Sequence, residues 1–226
     1  MDQKTAFEIA SSYQFATPKI ELGPWTSYSL LNDPKHMSFV LARYKFVAKM
    51  LRQNGRTLEV GCGDGFGAPI AKQHSAEYIG IDVDERLIND NSERLSKKIA
   101  NLNFILQDIT KPGASRLGMF DTIFSVDVLE HLDADKEKPF IEKSIELLHK
   151  KGIYICGTPS AYSSEYASER SKIQHINLKT APQKKELFEI YFDYVWIFSM
   201  NDEVVHTGFY PMAHYLFAVC AGKKYD

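Results

Sequence analysis

The sequence predicts an α/β fold in which a mostly parallel sheet carries helices on both faces. Three observations lead there. A short apolar strand, Thr57-Leu58-Glu59-Val60, runs into the glycine cluster Gly61-Cys62-Gly63-Asp64-Gly65, and a helical pattern follows. A second strand, Tyr78-Ile79-Gly80-Ile81-Asp82, ends in an acid. Strand-like and helix-like segments then alternate, the order that builds parallel sheets through helical crossovers.

The elements follow in order. Residues 1–32 carry Tyr13, Phe15, Trp25 and Tyr28 among Pro18, Gly23 and Pro24 and read as irregular. They form either a strap packed on the core or a lid that excludes water. Asp33 and Pro34 open a helix. Met37, Val40, Leu41, Tyr44, Val47 and Leu51 repeat at helical spacing, and Gly55 is read as its end. This strap and helix, 1–54, precede a cofactor half at 55–160. There the glycine turn leads to a helix near 66–74, the strand to Asp82 and a polar helix near 84–99. A third strand, Asn103-Phe104-Ile105-Leu106, runs into Gln107-Asp108-Ile109. A fourth spans Phe120 to Asp127, a helix covers about 137–150, and a fifth strand spans Gly152 to Cys156. The remainder, 161–226, begins with a polar, loop-like stretch to 179. A helix from Thr180 to Tyr191 and two aromatic-rich strands, near 194–200 and 209–221, complete it. Trp196, Phe198, Tyr215 and Phe217 are read there as core.

Bulk properties narrow the function. The 226 residues suit one domain with a full core, so 1–226 is read as a single unit. Hydrophobic content of 44% and charged content of 25% are ordinary globular usage. The net charge of −2 gives no basic field, so no nucleic-acid partner is expected. Cys62, Cys156 and Cys220 lie far apart, with neither metal-ligand spacing nor a disulfide framework. Reduced thiols fit the cytoplasm. Met1-Asp2-Gln3-Lys4 shows no signal-peptide pattern, and no apolar run approaches spanning length, so no membrane partner is expected. Nothing points to an oligomeric state.

Glycines at 61, 63 and 65 allow a sharp turn and bring bare backbone against a ligand. An acid at the tip of the second strand, Asp82, can accept hydrogen bonds from ribose hydroxyls. The dinucleotide fingerprint G-x-G-x-x-G would place its third glycine at Phe66. Acidic Glu59 and Asp64 would repel a pyrophosphate but suit a sulfonium ligand with its ammonium group.

The spacing E-x-G-x-G-x-G from Glu59 resembles motif I of the class I S-adenosylmethionine-dependent methyltransferases. The run FDTIFSVDVLEHL, from Phe120 to Leu132, resembles motif IV, most of all that of the ubiquinone-pathway O-methyltransferases. Gly157-Thr158-Pro159-Ser160 is similar to the family's turn after the fifth strand, with Ser160 in place of Asn. The resemblance covers residues 56–160. It implies a Rossmann-like, seven-stranded sheet with an antiparallel last strand, which the short Asn201-to-Gly208 connection, suited to a hairpin, supports. It implies S-adenosylmethionine as cofactor and S-adenosylhomocysteine as product. It assigns cofactor contacts to Glu59, Gly61, Cys62, Gly63, Asp82, Val83, Asp108, Ile109 and Asp127, with Asp108 on the adenine amino group.

Methyl transfer from a sulfonium is an in-line displacement, which needs alignment, exclusion of water and a deprotonated nucleophile. A hydroxyl acceptor gains from a nearby base. The candidates are His131 and His175, each also readable as structural. The run His175-Ile176-Asn177-Leu178 is similar to a "GH-x-N" turn of the family. Asp127, Glu130 and His131 form D-x-x-E-H, similar to acid-x-x-E-H metal clusters in some quinone-pathway and small-RNA methyltransferases. On a helical turn they share one face and would suit Mg²⁺ or Mn²⁺. The first acid here is the shorter aspartate, and no metal is assigned.

The expected function is methyl transfer to a hydroxyl or amine of a small molecule, such as a sugar, a nucleotide-sugar or a phenolic metabolite. The alternative is an RNA or protein acceptor, and the near-neutral charge opposes a large nucleic-acid footprint. Phe66 and the missing Tyr-x-x-x-Lys dyad oppose a nicotinamide enzyme. A cofactor-binding subunit without activity stays open.

Overall fold

A computed structural model describes residues 2–17 and 19–224. Pro18 and the side chains of Tyr13 and Phe15 lie outside the described residues. Eight strands form one sheet among those described. They are β1 (Gly55–Val60), β2 (Ser75–Asp82), β3 (Leu102–Leu106), β4 (Phe120–Val126), β5 (Leu148–Pro159), β6 (Phe192–Asn201), β7 (Val204–His206) and β8 (Tyr215–Lys223). Their order across the sheet is β3-β2-β1-β4-β5-β8-β6-β7. The pairs within β3-β2-β1-β4-β5 are parallel. β8 is antiparallel to both β5 and β6.

The expected antiparallel last strand is therefore present, but the sheet has eight strands, not seven. The connection after Asn201 does not lead straight into the last strand. Asp202, in the left-handed region at φ 48°, closes a tight hairpin, and β7 pairs back on β6 from Asn201↔Val204 to Ser199↔His206. Residues 207–214 then carry the chain to β8.

Alternating side chains along the strands build two apolar layers. Leu58, Ile79, Ile123, Tyr154 and Leu216 face α6 (Ala134–Glu146) and α8 (Ala181–Glu189) through Phe140, Ile141 and Phe188. Tyr78, Phe124, Ile155 and Phe217 face α3 (Pro34–Met50), α4 (Ala68–Lys72) and α5 (Glu85–Asn91) through Val47, Ala71 and Ile88. Helices thus cover both faces. Tyr215 and Phe217 are buried as expected, whereas Trp196 is half exposed and stacks on Tyr194 with ring centroids 5.8 Å apart.

The structure corrects several segments. Residues 1–32 are not irregular: α1 spans Gln3–Ala16 and α2 spans Pro24–Asn32, with Pro24 at the first helical position. α3 stops at Met50 because Leu51 turns extended. Asn54, at φ 56°, takes the left-handed position expected of Gly55, which opens β1 instead. α5 ends at Asn91 and passes into a π-helical turn, Ser92–Ser96. The polar stretch after β5 holds a 3-10 turn, Ala161–Tyr166, and α7 (Glu169–Gln174). No described helix is long and apolar enough to cross a membrane.

Candidate active site

The glycine turn leaves β1 at its carboxyl edge, where open α/β sheets bind ligands. Gly61 takes φ 82°, and a Cβ there would lie 2.3 Å from Val128 Cγ2. Gly63, at φ 52°, donates its N–H to Asp82 Oδ2 at 2.9 Å. The Asp84 N–H donates to Asp82 Oδ1 at 3.0 Å, so both oxygens are oriented and each keeps a lone pair.

Glu59 is not on the cleft wall. It is fully buried beneath the turn and accepts from the hydroxyls of Tyr44, at 2.5 Å, and Tyr78. Burial above all raises its pKa well beyond the ordinary range, against the Tyr44 hydrogen bond, with the Asp82 and Asp64 charges adding to the rise. Contrary to the expected cofactor contact, Glu59 lines neither cavity beside the turn, because alternation along β1 points it into the packed layer. Asp64 is also buried, although it lines the smaller of the two cavities beside the turn. Its Oδ2 accepts the Thr26 N–H at 2.7 Å and so ties α2 to the turn.

Two cavities flank the turn. One of about 210 Å³ is lined by Met37, Tyr44, Cys62 and Phe66. The other, about 560 Å³, is lined by Asp82, Val83, Asp108 and Ile109. Trp25, Gly61, Gly63 and Asp127 line both. Asp108 folds one oxygen back onto the Thr110 N–H and hydroxyl, at 2.9 and 2.8 Å. Apart from Glu59, every residue expected to touch the cofactor lines one of these cavities.

A third cavity, of about 490 Å³, opens beyond Asp127. His36, Arg43, Glu130, His131, Ser160 and His175 are among its walls. Asp127 lines all three cavities. It sits at φ 59°, donates its N–H to Gly157 O at 3.1 Å and pairs with Arg43 at 2.7 Å. Arg43 also lies 4.1 Å over the Tyr215 ring. Nothing in the helical pattern of α3 marked Arg43, because its partner stands 84 positions away.

The three residues of D-x-x-E-H do not sit on one helical turn, although all three line the third cavity. The left-handed Asp127 breaks the turn and sends its carboxylate to Arg43. Glu130, His131 and His175 meet instead, with one donor atom of each within 4.8 Å of the others. His131 Nδ1 lies 3.0 Å from Gln174 O, a pure acceptor, so Nδ1 carries the proton and Nε2 keeps the lone pair. Burial, and then His131, lower the His175 pKa below its ordinary 6.5. Glu130 is fully buried, and both its oxygens lack a hydrogen-bond partner among the described residues. Burial, and then the Asp127 charge, push its pKa up to about 8. Asn177 holds this group together. Its N–H donates to Glu130 O at 3.0 Å and its side-chain amide to Glu137 at 2.7 Å.

A Rossmann-like sheet with a glycine turn at the carboxyl edge of β1 places the chain among the class I S-adenosylmethionine-dependent methyltransferases. The chain belongs to the methyltransferase-domain family, whose model matches residues 51–196, and S-adenosylmethionine is its cofactor. A ribosomal protein L11 methyltransferase of Thermotoga neapolitana is 24% identical over 168 residues, 74% of this chain and 59% of that protein. A ubiquinone biosynthesis O-methyltransferase of Coxiella burnetii is 33% identical over 94 residues, 40% of this chain and 38% of that one. The chain thus spans less than two thirds of either relative. The fold matches N-methyltransferase NodS of Bradyrhizobium japonicum, solved with S-adenosylhomocysteine, at a TM-score of 0.62 and 18% identity, covering 87% of this chain and 92% of that one.

Proposed function

We propose that this single domain transfers the methyl group of S-adenosylmethionine to a hydroxyl or amine of a small molecule held in the cleft beyond Asp127. The observation that carries this reading is that Asp127 borders both cofactor cavities and the acceptor cleft. A donor stretched across the first two presents its methyl group to the third. In this reading Asp82 binds the ribose, Asp108 the adenine amino group, and Gly61, Cys62 and Gly63 the methionine end.

His175 takes the proton of the acceptor. Its lowered pKa keeps it neutral, and so able to act as base, at physiological pH. His131 Nε2 lies beside it as a second proton acceptor. The buried, unpartnered oxygens of Glu130 support a second reading, in which Glu130, His131 and His175 hold a divalent cation. Such an ion would make a bound hydroxyl more acidic.

A cleft of about 490 Å³ suits a small acceptor. The three free, buried cysteines fit a cytoplasmic setting. The test incubates the protein with methyl-labelled S-adenosylmethionine and a cell extract, then separates products by size. Label in the low-mass fraction is expected. Label confined to material destroyed by protease or ribonuclease would replace the small molecule with a protein or RNA acceptor.

A further inference from the structure

We propose that Trp25 reads the positive charge of the methyl donor and that Asp64 holds it in position to do so. The inference rests on the cofactor placement above. A sulfonium joins the methionine tail to the ribose, so it must lie where the two donor cavities meet. Four residues line both cavities. Gly61 and Gly63 offer only backbone. Asp127 already pairs with Arg43 at 2.7 Å. Trp25 is the fourth, and its six-membered ring lies against Gly63, where a Cβ would come within 2.8 Å of Cζ3. An aromatic ring attracts a cation by its electron-rich face, and tryptophan does so most strongly.

The ring is held by an arrangement local to the turn. Trp25 is the second residue of α2. The next residue, Thr26, donates its N–H to Asp64 Oδ2 at 2.7 Å in a buried contact. Gly23 packs on the same carboxylate so closely that a Cβ would lie 2.5 Å from Oδ2. A carboxylate from the glycine turn thus caps the first turn of the helix above it. Asp64 lines the smaller cavity itself, but its Oδ2 is taken by the Thr26 N–H, so its part in this proposal is that of a positioning residue for Trp25. The methylated donor is cationic and the demethylated product is neutral at sulfur, so this contact favours donor over product.

Trp25 is 59% exposed, so the effect is modest, about two- to fivefold for a cation–π contact at an exposed site. Calorimetry with three ligands tests it: S-adenosylmethionine, sinefungin, which carries a protonated amine in place of the methyl sulfonium, and S-adenosylhomocysteine. Trp25→Leu should weaken the two cationic ligands about two- to fivefold more than the neutral one. Trp25→Phe should fall between, and Asp64→Asn should move in the same direction as Trp25→Leu. Equal losses for all three ligands in Trp25→Leu would make the ring a plain roof and overturn the proposal. If Asp64→Asn does not fold, Gly23→Ala disturbs the same contact from the other side. Asp82→Ala serves as the control and should weaken all three ligands alike. Unchanged S-adenosylhomocysteine affinity in that variant would overturn the cofactor placement, a failure distinct from lost charge selectivity.

Discussion

Asp82 uses one lone pair of each carboxylate oxygen to orient itself against Gly63 and Asp84, and it lines the larger cavity proposed to hold the donor. Asp82→Ala should weaken cofactor binding by about 1.5 to 3 kcal/mol, measured by calorimetry. His175 lines the third cavity and neither of the two beside the glycine turn, and because it is the proposed base, His175→Ala should lower turnover about 10²- to 10⁴-fold for a hydroxyl acceptor. Its cofactor affinity should stay unchanged. The base must be neutral, so wild-type activity should fall as pH drops through a midpoint below the ordinary histidine value of 6.5, in line with the lowered pKa. A single-turnover rate against pH for both proteins checks this, and the mutant should lack that limb. At this scale Asp82, read from the acid at the tip of its strand, and Asp108, carried over from the family resemblance, both line the larger cavity, as expected of cofactor-binding positions. The burial of Glu59 was not legible, because the motif spacing does not tell which face of β1 a residue takes. Arg43 was hidden because its ion pair with Asp127 exists only after folding.

Among the elements, the turn at 175–178 depends on Asn177, which ties it to the 3-10 turn Leu129–His131 and to Glu137 on α6. Asn177→Ala removes a hydrogen bond to a carboxylate, a loss of about 1.5 to 3 kcal/mol. At about 2 to 4 °C per kcal/mol for a chain of this size, the melting temperature should drop measurably. Turnover should drop with it while S-adenosylhomocysteine affinity holds, because no donor-cavity residue is touched. The parallel strands were legible from apolar runs between turn signals. The N-terminal helices were not: proline, glycine and aromatics there read as breakage, whereas Pro24 in fact starts α2. The short strand β7 escaped because three residues carry no usable periodicity.

For the whole molecule, S-adenosylhomocysteine should raise the melting temperature and NAD should not. Linkage gives about 2.7 kcal/mol at a hundredfold excess over the dissociation constant. A shift with NAD alone would contradict the cavity assignment. Glu59 links α3, β1 and β2 through two tyrosines, and burial raises its pKa in the folded state. Its stabilising contribution is therefore fully present below the unfolded pKa and is lost as pH rises through the folded one. Glu59→Gln cannot ionise. Its stability relative to wild type should rise with pH above about 4.5, read from denaturant midpoints across a pH series.

The hairpin at Asp202 and the segment 161–178 reach the acceptor cleft, the first by way of the chain that delivers His214. Apart from Trp25 on α2, the residues proposed to hold the donor stand at or just after the ends of β1, β2, β3 and β4. One half of the molecule can therefore change by insertion while the other is inherited intact. A graft replacing 202–214 with the matching segment of another family member should redirect acceptor choice and leave S-adenosylhomocysteine affinity where it was.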